Sequence, residues 1–572
     1  MDGITDLESA IDDLVRPGDT IHARTGYQFS YAVVHELVRQ YWDEDLPEGE
    51  RLTLAGINTG AWAGPLIQAG AVDRLISAFT GLGYPSPRLH PVNREHIAEG
   101  DVTLEDWTYL TIIQRLRAGA LGVPFAATNS LAGSSIGPDA RTTTIENPVG
   151  DGDAHLIAPL EPDVTFTHGL VADRAGNTIV APIRSEGPWG VYASDRVIVT
   201  VERIVDESVI RRHSDAATIP GYAVDAVVEA PFGAHPGPCY NPQGIGGVTD
   251  YGYDRDFLLS LRAASTEQST LESWVEEWIL GTDWMGYLQS LGEDRLRQLT
   301  AGTWPQGRLA EGLAADRSRE TTTEPPSDKE RMIVRTARLL DDRTRGDDFE
   351  VVFGGIGVSH LASWLYSELC DREDRPALPL LIESGAYDFT PPRSDGYIFT
   401  PRALPSAAVV DTSTFALGAV IEHARSLALL TGAQIDRQGN VNSSYLGGKP
   451  FVGSGGANDA LSNADEVILI VEASPRRLVD EVEFVTGPGR NVTTVCTQYG
   501  ILRKRDGELR IEVVFVPANG PQSVADRLAE FEDAVGWDVR VAEDVEVKSW
   551  NPADDRLVET VRAIDPKGDF RG

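Results

Sequence analysis

The 572-residue sequence repeats itself, and the repetition limits its possible folds more than any other feature. Early in the chain, "VRPGDTIHARTGYQFSYAVVHELV" sets Gly18 and Asp19 before a β-branched run, then Gly26, then an amphipathic pattern. "TRGDDFEVVFGGIGVSHLASWL" later sets Gly346, Asp347 and Gly354 in the same way, with the same eight-residue step between glycines. Three more pairs follow in order. Asp173, Gly176 and Asn177 match Asp436, Gly439 and Asn440, and Asp195, Glu202 and Asp206 match Asp465, Glu472 and Asp480. Finally "IPGYAVDAVV" matches "GPGRNVTTVC". Four ordered anchors indicate a divergent tandem duplication. Each half alternates short β-branched runs ("TIHAR", "RVIVTVE", "EVVFGG", "EVILIVE") with helical patterns, which predicts mainly parallel sheets. The expected fold class is α/β: two related open α/β domains, residues 1–315 and 330–572, joined by a polar, proline-bearing linker over 316–329.

Charge narrows the partners. With 87 acidic against 50 basic residues, only five of them lysine, the formal net charge is −37. A field of that sign repels nucleic acid and anionic membranes. The acids are spread along well-patterned helices, which suits a hydrated surface in a salty, halophilic cytoplasm. Cys239, Cys370 and Cys496 are too scattered for a disulfide framework or a zinc knuckle, so no metal is expected. The acidic amphipathic start is unlike a signal peptide and no run of 18 apolar residues exists, so a cytoplasmic location is expected.

Several motifs invite chemistry. "GSSIG" centres Ser135 in a G-x-S-x-G, but Pro138 and Asp139 stand where a nucleophile elbow needs a helix. His235 and Cys239 fall in a Pro/Gly-rich loop without further ligands and read as packing; Trp274 and Trp278 read as a core stripe. "GSGGAND", Gly453 to Asp459, lacks a P-loop ending and alone reads as a tight turn, although its backbone could face an oxyanion. In "PLPLLIESGAYDF" an apolar strand ends in Glu383, followed by Ser384 and Gly385. In open parallel sheets ligands bind beyond the carboxyl ends of strands, where Glu383 falls.

Taken together, "IESGAYDFTPPRS", "TGAQIDRQGNVNSS", "GSGGAN", "RRLVDEVEFVTGPG" and "AIDPKGDF" resemble the β subunit of the glutaconate CoA-transferase type. "DAVVEAPFGAHPGPCY", "ALGVPF" and "IVDESVIRR" resemble its α subunit, so the chain looks like both subunits of a class I CoA-transferase fused. The resemblance implies Glu383 as a carboxylate nucleophile, with Gly453, Gly455 and Gly456 lining the site as oxyanion donors. It implies a CoA thioester as substrate with no permanently bound cofactor, acyl-CoA and carboxylic acids as partners, and possible homo-oligomers. Glutamate is ionised at neutral pH at its reference pKa of about 4.3, so no catalytic histidine is expected; Ser384 and Gly385 are expected to leave room for the thioester. Two departures stand out. Thr25 replaces the first of a paired glycine before Gly26, leaving that loop's substrate contacts open. "GLGYPSPRLHPVNREH" diverges near the acyl pocket, where Arg88, His90 and Arg94 are candidates for a second carboxylate or form a solvated basic loop. A hydrolase of acyl-CoA or cyclic-ketone thioesters on the same scaffold is the alternative, and a non-catalytic ligand sensor a second.

Overall fold

A computed structural model describes residues 3–571 other than 48, 182–184, 302–323, 347, 394 and 517–522. The first half builds a nine-stranded sheet around Thr20–Ala23. Leu52–Asn58 pairs with one edge of that strand and Val164–Ala172 with the other, and Arg196–Ile204 and Ala226–Glu229 extend the row, all parallel. In the second half, Val351–Gly354 is flanked by Leu380–Leu381 and Ser426–Leu430, followed by Glu466–Ile470 and Val492–Cys496, again all parallel. The same five-strand order appears twice. In both halves the strands are apolar on both faces, as parallel sheets covered by helices require; Val164–Ala172 is buried at every position.

The polar anchors of the repeat coincide in detail. Asp173 accepts the N–H groups of Ala175 and Asn177 and the Asn177 amide, while Asn177 Oδ1 accepts the Gly221 N–H. Asp436 does the same for Gln438 and Asn440, and Asn440 Oδ1 accepts the Gly489 N–H. One anchor is corrected. Val164 faces both Ile21 and Arg196, while Leu427 faces both Val352 and Glu466, so Val352 is the counterpart of Ile21. Gly26 (φ 122°) then corresponds to Gly357 (φ 117°), and Gly354 lies within a strand. Equal glycine spacing misled because the turns entering the two strands differ in length; Asp347 lies outside the described residues.

Of the expected linker, residues 316–323 also lie outside the described residues. Helix Asp328–Thr344 begins within its last residues, because Ser327 and Glu330 form a capping box. Helix Tyr109–Leu121, capped by Thr108, joins the halves: Leu110 and Ile113 share one buried cluster with Leu381, Leu417 and Leu461. No described helix is long and apolar enough to cross a membrane.

Candidate functional site

Glu383 stands at the tip of a tight reversal. Leu380–Leu381 pairs in parallel with Val352 and Phe353, and the chain then returns through Ala386–Tyr387, with Leu381 opposite Tyr387. The Gly385 N–H donates to the Ile382 carbonyl and Ile382 N–H to the Ala386 carbonyl, which fixes the backbone on both sides of the carboxylate. Gly385 has φ 99°, and a Cβ there would lie 2.1 Å from the Asp411 carbonyl oxygen. Its glycine therefore serves the turn. This corrects the expectation that Gly385 makes room for a thioester, since it does not reach the cavity wall.

The carboxylate opens into a cavity of about 900 Å³ lined by both halves. Gly456 lies directly against it: a Cβ at that position would sit 2.4 Å from Glu383 Oε2. Burial, reinforced by the nearby Asp459 carboxylate, pushes Glu383 up to about 7, against the opposing Gly456 backbone hydrogen bond. The expectation of a glutamate ionised at neutral pH without help is thus corrected, because the strand end is desolvated. Asp459 is itself held up at about 6 by burial. It accepts Thr108 Oγ1 at 2.7 Å and the Leu110 N–H at 3.0 Å, so it sits on the first turn of helix Tyr109–Leu121 from the other half.

The glycine loop is laced to the first half. Gly455 N–H donates to the Ala78 carbonyl, Gly455 carbonyl accepts Tyr109 N–H, and Thr80 N–H donates to the Val452 carbonyl. Gly453 N–H donates to the Ser443 carbonyl. Gly453, Gly455 and Gly456 line the cavity, but the first two have their N–H groups engaged. The expectation that all three aim donors at an oxyanion is corrected accordingly: the loop is a seam contact as well as a wall. Buried hydroxyls supply other donors. Tyr27, Ser185 and Ser384 line the cavity, and their hydroxyls, buried just behind its wall, complete no hydrogen bond. Burial pushes the Tyr27 phenol far up, so it stays a protonated donor.

Thr25 and Gly26 both reach the cavity, and Glu186 holds Thr25 there by accepting its N–H at 3.0 Å. Arg88 and Arg94 do not line the cavity. His90 does not either; it is buried, caps helix Pro91–Glu99 by accepting the Asn93 N–H, and is pushed down to about 3, hence neutral. These three are corrected as direct carboxylate ligands: His90 turns inward as the helix cap, Arg88 before the helix is exposed, and Arg94 on its first turn stays off the lining. The cations at the wall are instead Arg262, Arg476 and Arg477. They were missed because they stand far from Glu383 in sequence, although "RRLVDE" carried two of them. Tyr27, Tyr84 and Tyr253 were missed as wall residues for the same reason; Tyr397 follows Glu383 closely but lies in a loop whose path only the structure shows. Ser135 exchanges hydrogen bonds with Val485 across the seam. His235 is clamped by Tyr287 and Asp254, and Trp274 and Trp278 pack on Phe257.

Comparison with known proteins bears on the whole chain. Residues 4–230 match the family described as Coenzyme A transferase. The chain is 31% identical to one subunit of the glutaconate CoA-transferase of Acidaminococcus fermentans over 324 residues, covering 52% of this chain and 95% of that subunit. It is 27% identical to another subunit of the same enzyme over 247 residues, 38% of this chain and 86% of that one. An uncharacterized protein of Archaeoglobus fulgidus is 28% identical over 51% of this chain; the match spans 63% of that protein's own length. In fold, an acyl-CoA transferase from E. coli O157:H7, solved as a thioester complex with CoA, superimposes with a TM-score of 0.65 over 97% of this chain and 96% of that one, at 14% identity.

Proposed function

This chain belongs to the coenzyme A transferase family, and from that premise we propose that it moves CoA from an acyl-CoA to a carboxylic acid through a covalent thioester on Glu383. The observation that carries the proposal is a lone carboxylate on a rigid turn, open to a two-sided cavity and backed by Gly456. Transfer without another energy source requires the thioester's energy to be kept on the protein, and a carboxylate can do that.

In the proposed sequence, ionised Glu383 attacks the acyl carbonyl carbon. The carbon–sulfur bond breaks, CoA leaves as thiolate, and a glutamyl–acyl anhydride remains. The thiolate then attacks Glu383 Cδ and breaks the anhydride C–O bond, so the donor acid departs and glutamyl-CoA is left. An acceptor carboxylate attacks the same Cδ, expelling thiolate; the thiolate takes the acceptor's carbonyl and restores Glu383. Each tetrahedral step puts negative charge on an oxygen, for which the hydroxyls of Tyr27, Ser185 and Ser384 are the available donors. The aromatic walls exclude the water that would hydrolyse the anhydride.

Initial-rate kinetics with donor and acceptor varied together should give the parallel double-reciprocal lines of a ping-pong scheme. Steady release of free CoA without an acceptor would support the hydrolase instead. We read the charge of −37 as a surface suited to concentrated salt in a cytoplasmic setting; an unfolding temperature that does not rise between dilute and molar KCl would remove that reading.

A further inference from the structure

We propose that the first-half wall of the cavity takes an acyl group with a bulky apolar body ending in an anion, and that Arg262 receives that anion. The inference rests on the transferase reading for the thioester end, and on the wall itself for the rest.

Helix Arg255–Ala264 starts on the Asp254 cap, buries Phe257 and Ala264 inward, and turns Leu258, Leu261 and Arg262 to the cavity. Facing residues include Phe29 and Trp62, whose rings lie 5.7 Å apart. The Trp62 indole N–H is engaged by the Asn58 carbonyl at 2.8 Å, so this ring offers the cavity carbon surface only. Phe29 and Trp62 are themselves buried and, with Leu82, Leu258 and Leu261, give this wall carbon surface and few polar partners, which suits an aromatic or branched body better than a short polar one.

Arg262 is the only charged side chain that the described first half brings to the cavity lining. It is half-buried, and it makes no ion pair with any described residue, in a chain with 87 acids. Its helix neighbour Arg255 is paired with Asp569 and nearby Arg295 with Asp254, so acids were available to other arginines of this region. Burial and the charges of Arg88 and Arg255 press Arg262 towards losing its proton, and Asp569 offsets them only in part. Arg88 likewise has no ion-pair partner among the described residues. A guanidinium so placed is relieved by an anion and binds a carboxylate through two parallel hydrogen bonds. Arg88, exposed and off the cavity wall, would act on the anion only through Arg262. On the opposite half, Arg476 and Arg477 line the cavity where it meets solvent, leaving them to the phosphates of CoA.

Calorimetry on the full-length Glu383→Gln protein, which binds thioesters without reacting, separates these assignments. The probes are 4-carboxyphenylacetyl-CoA, 4-methylphenylacetyl-CoA and free CoA. We expect the carboxylated thioester to bind about tenfold or more tightly than its methyl twin. In the further variant Arg262→Met, which keeps the apolar bulk, that preference should fall to about twofold or less while free CoA binds unchanged. Equal binding of the two aryl thioesters before the Arg262 change would overturn the proposal. So would a loss of free-CoA affinity as large as the loss for the carboxylated probe, which would assign Arg262 to a CoA phosphate. Binding of free CoA with rejection of both aryl thioesters would overturn the bulky apolar body. Failure to bind even free CoA would bring down the transferase reading as well.

Discussion

The two halves share a frame and differ at one strand end. Leu54 and Leu380 hold the same place beside Ile21 and Val352, so the counterpart of Glu383 in the first half is Ile57. Ile57 is buried and lines the same cavity. The half without the carboxylate supplies most of the aromatic wall and a cation; the half with it supplies the turn, the glycine loop and Asp459. In the proposed reading, the duplicated halves form one site at the seam with divided labour, and not two sites. The difference lies in the exit from each strand: Leu52–Asn58 runs directly into helix Gly60–Gln68, whereas Leu380–Leu381 turns back on itself and leaves the carboxylate at the tip.

The comparison breaks first at Glu383. Glu383→Ala should reduce transfer by at least about 10⁴-fold in a coupled CoA assay, with Ile57 and the rest of the first half unable to substitute; residual transfer above one-hundredth of normal would show that the two strand ends are not so different. Gly456→Ala comes next. Its φ of −88° suits any residue, so the added methyl acts mainly by displacing the carboxylate it would meet at 2.4 Å, with a tighter contact to Leu417 at 3.3 Å beside it. A loss of about 10²-fold is expected with an unchanged circular dichroism spectrum. Gly252→Ala, whose Cβ would meet nothing within 4 Å at a backbone conformation outside the left-handed region, should retain most activity and serves as the contrast.

Smaller effects test the electrostatics. The nucleophile is the ionised form, so kcat/KM should rise with pH to a half-maximum near 7 and level above it. Asp459→Asn removes a like charge and should move that midpoint to lower pH; an unmoved midpoint would show that burial alone raises Glu383. The smallest effect is on stability. A carboxyl whose folded pKa lies above its unfolded value stabilises fully below the unfolded pKa and loses that contribution as pH rises through the folded one. Glu383→Gln should therefore stabilise the free protein at pH 8 and not at pH 4, by about 1–2 kcal/mol after discounting for solvent access. Calorimetric melts at the two pH values would show it.

Much of the frame was legible beforehand. Asp173 and Asp436 announce their turns because Asp-x-x-Gly-Asn specifies its own local hydrogen bonds, and "RVIVTVE" and "EVILIVE" announce buried strands. Glu383 was legible because an apolar run stops on it. What failed to show depends on contacts distant in sequence. Nothing near residue 26 tells that Gly357 is its partner, because the dihedral angle they share is unwritten in glycine spacing. Arg88 and Arg94 looked like ligands because they are basic and near "GLGYP", yet only Leu82, Gly83, Tyr84 and Pro87 of that segment reach the cavity, and the two arginines stay off its wall. Arg262 reaches the wall only because helix Arg255–Ala264 packs there, and the raised pKa of Glu383 follows from burial at the seam, reinforced by Asp459, 76 residues later. The donors engaged at Gly453 and Gly455 likewise become visible only once Ala78 and Ser443 are seen against them.

The most direct test of a single nucleophile at the seam is peptide mass spectrometry after mixing the protein with acyl-CoA and no acceptor. The account predicts a CoA adduct on the peptide containing Glu383, absent in Glu383→Ala and discharged when a carboxylic acid is added. An adduct on any other peptide, or none while free CoA accumulates, would contradict it.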